Sequence, residues 1–229
     1  MRDIFRNSYE FWRKHFFALC FLGLGYQIPR IIIASRDIGP LKENPGLFFG
    51  LFILSVIFLA FSQPTILIYT GRNLEDHETT VWEAFVSSIG RVVPMLVCQF
   101  AILIASAVGG ILLIVPGIYI YLTTLHARYF IVVRGLPIVD SVKASHLLMK
   151  GQHFFALKLF IAMVAFCLPI YVVIYMGLDA FFAGSENFIE PIIFMPFYAF
   201  FEVVFVVFYF YCQKEKLQAG ATIVPLETF

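Results

Sequence analysis

The chain is poor in charged residues. Only 14% of its 229 residues are Asp, Glu, Lys or Arg, while 61% are hydrophobic. Soluble domains average about 25% charged and about 45–50% apolar residues. The composition therefore excludes an ordinary soluble domain. It also argues against a nucleic-acid partner, because the net charge is +1 and no basic cluster lies outside the flanks of the apolar runs.

Residues that carry chemistry are also scarce. The four cysteines, Cys20, Cys98, Cys167 and Cys212, all fall in apolar segments, which argues against a disulfide framework. No P-loop, HExxH or GxSxG motif occurs, and the three histidines at 126, 146 and 153 lack metal-site spacing. The sequence therefore predicts no enzyme activity, no metal and no cofactor.

Long uncharged apolar runs are abundant. Leu47–Thr70 has 24 residues without a charge, and Val92–Leu125 has 34. A helix needs about 20 apolar residues to cross a hydrocarbon core of about 30 Å, so the longer run contains two crossings. Pro116 and Gly117 predict a tight hairpin between them, in which glycine supplies the turn dihedral and proline ends the helix. Six spans are predicted, over residues 16–34, 47–70, 92–110, 114–133, 154–178 and 189–212.

The distribution of Lys and Arg predicts the orientation of these spans. With both termini in the cytoplasm, thirteen Lys and Arg residues lie on the cytoplasmic side and three on the other. Loops that flank membrane spans and carry Lys and Arg tend to remain on the cytoplasmic side. Asp3 and Glu10 among the first basic residues argue against a cleavable signal. We expect a multi-pass membrane protein with both termini in the cytoplasm, ending in a short cytoplasmic tail at residues 214–229.

An amphipathic stretch precedes each pair of spans. The word HFFAL occurs at residues 15–19 and again at 153–157, both times after such a stretch. Thr80 and Glu83 form a capping box in one stretch, and Asp140 is placed to cap another. Each stretch is predicted to be an interfacial helix on the cytoplasmic leaflet. Gly151 is a predicted C-cap that bends the third of these helices into the fifth span.

The predicted fold is an all-α membrane protein with six transmembrane helices. They form three helical hairpins, each preceded by a cytoplasmic interfacial amphipathic helix. The units would be parallel repeats within one polytopic domain. Their predicted limits are residues 1–71, 76–134 and 137–213. The alternative is a coincidental similarity between Phe-rich segments.

Residues 113–157 carry a family resemblance. They contain Pro116 and Gly117, the helix segment SVKAS at 141–145, and then Leu148, Lys150 and Gly151. This pattern resembles the YciC-like family of uncharacterised bacterial inner-membrane proteins, which is related to the membrane domain of some glycerophosphodiester phosphodiesterases. Ser141 and Val142 depart from the Ala and Leu of the family pattern. The resemblance implies a six-span inner-membrane protein associated with lipids and the envelope.

Polar residues inside the spans are candidates for a functional site. Glu202 lies between two uncharged stretches, and a carboxylate there costs several kcal/mol unless it is paired, protonated or hydrated. It either serves function or, paired with a basic residue or Gln from another span, fixes helix packing. The candidate intramembrane polar site comprises Glu202, Gln63, Gln99 and His126.

Basic residues near the cytoplasmic boundary are candidates for binding lipid headgroups. They are Arg128, Arg134, Lys143, Lys150 and Lys158. Arg128 and Lys158 either snorkel to the headgroups or converge with the others into a pocket for lipid phosphate.

Two functions fit these features. The first is a non-enzymatic inner-membrane protein that binds phospholipid, as a factor in envelope or membrane homeostasis or an accessory subunit. The alternative is a small-solute or proton-coupled transporter or channel that uses Glu202. The expected partners are membrane phospholipids and a homo-oligomer or larger membrane complex.

Overall fold

The computed structural model describes residues 1–34, 44–112, 114–181 and 186–218. Within these ranges the chain is helical and contains no strand. The helices are α1 (Arg2–Lys14), α2 (Phe16–Ala34), α3 (Pro45–Leu74), α4 (Val81–Ser88), α5 (Val92–Leu112), α6 (Ile114–Thr123), α7 (Ala127–Val132), α8 (Ile138–Met149), α9 (His153–Phe181) and α10 (Glu186–Gln218), with a 3₁₀ turn at Ile89–Arg91.

The helix order matches the predicted order of short and long elements except at residues 114–133, where two short helices replace one predicted span. Helices α1, α4 and α8 occupy the amphipathic stretches, and the pairs α2 with α3, α5 with α6, and α9 with α10 follow them and pack together. Helix α10 continues to Gln218. The predicted tail at 214–229 therefore begins inside a helix, and its residues 219–229 lie outside the described ranges.

Large apolar side chains on the outside of the helices indicate a membrane protein. Exposed examples on α5 are Val97, Phe100, Leu103 and Ile104, and those on α9 include Phe160 and Ile161. Soluble monomers rarely expose contiguous apolar surface of this kind. Among the described residues, Pro45–Leu74 and Val81–Ile111 are long and apolar enough to cross a membrane. A third crossing arises if the bent pair Ile138–Met149 and His153–Phe166 is one span.

Six crossings are therefore more than the described structure shows. The predicted span at 114–133 is broken, because α6 has ten residues, α7 has six, and a turn at 124–126 separates them. Ten residues of helix extend only about 15 Å. Residues 35–43, 182–185 and 219–229, next to the first, fifth and sixth predicted spans, lie outside the described ranges.

The three amphipathic helices differ in how they join the bundle. Helix α8 meets α9 at 90°, and Gly151 lies between them with a φ of 85°, so the predicted bend is confirmed. Helix α4 instead runs through the 3₁₀ turn directly into α5. Helix α1 packs on α10, where Trp12 Nε1 donates to the Pro196 carbonyl oxygen at 3.2 Å. Ile4, Ser8 and Phe11 of α1 are buried, whereas Tyr9 is exposed.

The predicted caps have mixed outcomes. Thr80 and Glu83 form the capping box in both directions. Asp140 does not cap α8, because the N-cap residue is Pro137. Asp140 instead lies 3.8 Å from the Lys143 ammonium on the exposed side of the helix.

The predicted hairpin residues have a different role from the one expected. Pro116 and Gly117 lie inside α6, which begins at Ile114. Proline is tolerated in the first turn of a helix because no N–H is needed there. A Cβ at Gly117 would lie 2.7 Å from Gly110 N and 2.8 Å from Ser106 O. Glycine is therefore required by the close approach of two helix backbones, not by a turn dihedral.

The core lies toward the end of the bundle where α3 and α10 finish, which we call the basic end. Every residue from Ser62 to Gly71 of α3 is buried, and so are most residues of α7 and of the segment 199–213 of α10. The first half of α3 is more open, with Phe49, Ile53 and Leu54 exposed. This packing places the polar residues of α3, α7 and α10 side by side.

Candidate functional site

Glu202 forms a buried polar cluster with two residues from other helices. Its side chain is only 5% exposed, and its Oε1 lies 3.3 Å from Arg128 Nη1. Gln63 Nε2 donates to the same oxygen at 3.4 Å. The cluster, which we call the polar triad, joins α3, α7 and α10.

The polar triad shows how the charge of Glu202 is compensated. Removing a carboxylate from water costs several kcal/mol unless an opposite charge and hydrogen bonds compensate it. Arg128 supplies the charge and Gln63 a hydrogen bond, so Glu202 is paired with a basic residue and a Gln, as one interpretation expected. The snorkelling interpretation is wrong for Arg128, because its guanidinium pairs with a buried carboxylate.

A small cleft adjoins Arg128. It has a volume of about 70 Å³ and lies between α5, α6 and the turn that precedes α7. Its lining residues are Cys98, Gln99, Ile102, Tyr121, Thr124, Leu125 and Arg128. Gln99 and Arg128 therefore line the same cleft.

The turn between α6 and α7 positions Arg128, and Ser145 holds that turn. The backbone N–H of His126 donates to Ser145 Oγ at 3.1 Å, and Ser145 Oγ donates to the Thr123 carbonyl oxygen at 2.8 Å. Both backbone groups would otherwise lack a helical partner. Sequence reasoning assigned Ser145 no such role, although a serine on the apolar face of α8 was a usable signal.

His126 does not belong to the polar triad. Its ring packs on Phe208 and Tyr209, with centroid distances of 5.4 and 5.8 Å. The side chain is buried, and its Nε2 has no hydrogen-bond partner in the described structure. Of the four predicted intramembrane polar residues, Gln63 and Glu202 meet directly, and Gln99 lines the cleft that Arg128 also lines.

The five predicted headgroup residues do not form one pocket. Arg128 and Arg134 are engaged in ion pairs with Glu202 and Glu75, respectively. Lys143 pairs with Asp140 on the exposed side of α8.

The two remaining lysines lie near the corner between α8 and α9. The Lys150 carbonyl oxygen accepts a hydrogen bond from Lys216 Nζ at 2.7 Å. Lys158 is exposed, with Nζ 4.4 Å from the centre of the Phe154 ring. A charge count along the sequence could not reveal that the two arginines have carboxylate partners on other elements.

A second cleft is almost entirely apolar. It has a volume of about 400 Å³ and lies between α2, α3 and α4. Its lining residues are Phe21, Leu22, Phe58, Phe61, Ser62, Thr65, Val81, Trp82 and Phe85. The two hydroxyl groups are satisfied within the protein, because Ser62 donates to Phe58 O and Thr65 donates to Phe61 O. The apolar cleft therefore offers an occupant apolar contacts.

Fold and site together define an all-helical protein with helices long and apolar enough to cross a membrane. Comparisons with protein-family models, with curated proteins and with solved structures found no match. The resemblance to the YciC-like family therefore remains a prediction from the sequence.

Proposed function

We propose that this chain is a non-enzymatic, multi-pass membrane protein that binds phospholipid. It would serve envelope or membrane homeostasis, alone, as a homo-oligomer or as an accessory subunit of a larger membrane assembly. In this proposal six helical segments cross a bacterial inner membrane, and both termini are cytoplasmic. The asymmetric distribution of Lys and Arg and the exposed apolar side chains support that placement.

The apolar cleft is the observation that carries the proposal. Binding sites for small molecules usually have volumes of about 300–1,000 Å³ and mostly apolar walls, and the cleft of about 400 Å³ fits this description. Trp82 is 70% exposed and Phe21 57% exposed, so the cleft opens to the surroundings of the helices. In a bilayer those surroundings are acyl chains. We propose that one lipid chain occupies the cleft.

Lipid mass spectrometry on the purified protein tests this function. Wild-type protein should retain phospholipid through detergent exchange. The Trp82→Ala variant should retain several-fold less, because it removes an exposed wall of the cleft without touching the buried core. An aromatic side chain can bury about 150–250 Å², so the variant loses surface that a lipid chain would contact.

Val86→Ala is the matched control. Val86 is exposed on the same helix, at 49%, but does not line the cleft. This variant should retain lipid like the wild type. Equal retention by all three proteins would contradict the proposed function.

The polar triad favours a second candidate, a small-solute or proton-coupled transporter. A charged pair within membrane-spanning helices is a common element of ion and proton pathways. Flux into proteoliposomes that depends on Glu202, and is lost in Glu202→Gln, would support transport. Identical flux in wild type, in the variant and in empty liposomes would exclude it.

A further inference from the structure

We propose that Arg72 and Arg91 form a binding site for a phosphate group at the basic end of the bundle. The inference rests on the proposed lipid-binding function for the source of its ligand, a phospholipid headgroup. Neither arginine lines the apolar cleft, so the two proposals are tested with different variants.

Arg72 and Arg91 lie close together on neighbouring helices. Arg72 is in the last turn of α3, and its Nη1 donates to Ser87 Oγ at 3.3 Å. Ser87 is near the end of α4, four residues before Arg91. The positive charge of Arg72 acts on Arg91, so the two guanidinium groups repel each other. Two like charges in one place are costly unless an opposite charge compensates them.

No carboxylate of the described residues supplies this compensation. In the part of the chain that the structure describes, Arg128 and Arg134 pair with Glu residues, whereas Arg72 and Arg91 have no Asp or Glu within ion-pair distance. Glu83 feels the charge of Arg72, but its carboxylate accepts the backbone N–H of the capping box. A bound anion would therefore supply the missing negative charge.

Both arginines keep donor groups for such an anion. Their hydrogen bonds to described residues use only Nη1, which in Arg72 donates to Ser87 and in Arg91 to the carbonyl oxygens of Val132 and Val133. Both side chains are half-buried, and Nε and Nη2 of each remain accessible. A guanidinium presents its N–H groups in a planar fork that binds phosphate oxygens in pairs. Two such forks therefore match one phosphate group.

The surroundings of the arginine pair favour a lipid phosphate. Arg72 follows one long uncharged run of the sequence, and Arg91 precedes the next. Ile89 and Val93, on either side of Arg91, are 53% and 67% exposed. The pair thus lies where apolar surface meets charged residues, as the headgroup region meets the hydrocarbon core in a bilayer.

The arginine pair also lies near the apolar cleft, since α3 and α4 contribute to both. Thr65 of the cleft is seven residues before Arg72, which is about 10 Å along a helix. Half of a hydrocarbon core of about 30 Å is about 15 Å. A single phospholipid is therefore long enough to place a chain in the cleft and its phosphate at the pair.

The test compares lipids that differ only in phosphate. Purified wild-type protein is offered equal amounts of phosphatidic acid and diacylglycerol with the same chains, and native mass spectrometry counts the retained molecules. We expect the wild type to prefer phosphatidic acid. Arg72→Gln should lose about tenfold of this preference, as expected when hydrogen bonds to a charged group are removed. An unchanged preference in Arg72→Gln would overturn the phosphate site.

Two matched controls separate the site from packing and from net charge. Ser87→Ala removes the protein hydrogen bond of Arg72 but keeps both guanidinium groups, so it should keep the preference. Arg13→Gln removes the same charge from an exposed position on α1, and it should keep the preference too. A loss in either control as large as that in Arg72→Gln would contradict the site.

Thermal unfolding without added lipid shows whether Arg72 is needed for folding. Arg72→Gln should unfold at the wild-type temperature or above, because it removes the repulsion from Arg91. Arg72→Lys keeps the charge but loses the planar fork, and it should keep more of the preference than Arg72→Gln. Equal losses in the two variants, together with a lowered unfolding temperature in both, would assign Arg72 a structural role instead.

An arm with inorganic phosphate separates the two phosphate sources. Loss of the wild-type preference in millimolar phosphate would support a phosphate site open to soluble ligands. Persistence of the preference would support the lipid headgroup. If Trp82→Ala loses total lipid while Arg72→Gln keeps its preference, lipid binding stands and the phosphate site fails. If no protein retains lipid but phosphate raises the unfolding temperature of the wild type and not of Arg72→Gln, the phosphate site stands and the lipid proposal fails.

Discussion

The buried carboxylate of Glu202 determines much of the local chemistry at the residue scale. Glu202 is buried, and its compensation comes from Arg128 on α7 and Gln63 on α3. Removing one partner of a buried ion pair costs about 3–5 kcal/mol, whereas replacing both by apolar residues is often neutral. We therefore expect the ion pair to contribute mainly to specificity, by determining which helices pack together, and less to the free energy of unfolding.

A double-mutant cycle on Arg128 and Glu202 tests this view. Arg128→Met should destabilise the protein by about 3–5 kcal/mol, because Glu202 loses the charge that compensates it. The double variant Arg128→Met, Glu202→Leu should recover most of this loss. Chemical unfolding in detergent measures each free energy. Additive losses would show that the two side chains do not interact energetically.

The pH dependence of stability has a contribution from His15, which precedes α2. Burial lowers the pKa of His15 below its ordinary value of 6.5, and the positive charge of Lys14 adds to the effect. Its Nδ1 lies 2.7 Å from the Tyr69 hydroxyl oxygen. Because the unfolded state binds the proton more readily, this contribution is fully present above pH 6.5 and is lost as the pH falls toward the lower folded value.

We expect the stability difference between wild type and His15→Gln to shrink between pH 8 and pH 5. Thermal unfolding at both pH values measures it. His77→Gln, at an exposed position after α3, is the control and should not alter the pH dependence. A difference that is constant or grows on acidification would contradict the assignment.

The sequence identified three polar residues of the site, but it did not predict how they are arranged. Glu202, Gln63 and Gln99 stood out because polar groups are costly in apolar segments. Arg128 was assigned to headgroups because its sequence position lies near a helix end. Its actual partner is 74 residues away in the chain, and only tertiary packing brings the two together.

At the scale of the helices, the main feature is the close contact between the backbones of α5 and α6. Gly117 of α6 faces the backbone of α5, and a Cβ there would lie 2.7 Å from Gly110 N. Gly110 itself has open space, since nothing lies within 4 Å of its Cβ position. The two glycines differ in this way although both lie at the same helix contact.

Gly117→Ala should therefore destabilise the protein, because the obstructing atoms are backbone and cannot rotate away. Gly110→Ala should be neutral or stabilising, since alanine favours a helix by about 1 kcal/mol over glycine. Thermal unfolding of the two variants in detergent compares them directly. Equal effects would show that the close approach of the backbones is not the reason for Gly117.

The elements were predictable to different degrees. The long helices follow from uncharged runs, and the bend at Gly151 follows from a basic residue followed by glycine at a helix end. The hairpin residues were misplaced because proline and glycine occur both in turns and in the first turn of a closely packed helix. The break before α7 had no local signal, since Ser145 on α8 stabilises it through space.

The whole molecule is packed unevenly along its length. Side chains of α3 are buried from Ser62 to Gly71, whereas Phe49, Ile53 and Leu54 near its beginning are exposed. The polar triad lies toward the well-packed basic end. The exposed apolar side chains near the beginning of α3 form a surface of the kind that a bilayer would cover.

The orientation of the bundle has a direct test in cysteine labelling. Lys216 Nζ lies 2.7 Å from the Lys150 carbonyl oxygen, so both residues lie at the basic end. Gly46 begins α3, whose 30 residues extend about 45 Å, and it is exposed at the opposite end. Single cysteines at 46, 150 and 216 would replace the native residues in a chain whose own four cysteines are changed to alanine.

In intact cells a membrane-impermeant thiol reagent should label Gly46→Cys. Lys150→Cys and Lys216→Cys should react only after the membrane is opened, because positive flanks stay cytoplasmic. Labelling of Lys150→Cys and Lys216→Cys from outside, with Gly46→Cys protected, would reverse the orientation. Labelling of positions 150 and 216 from opposite sides would contradict the contact between α10 and the corner of α8 and α9, and with it the topology on which the lipid proposal depends.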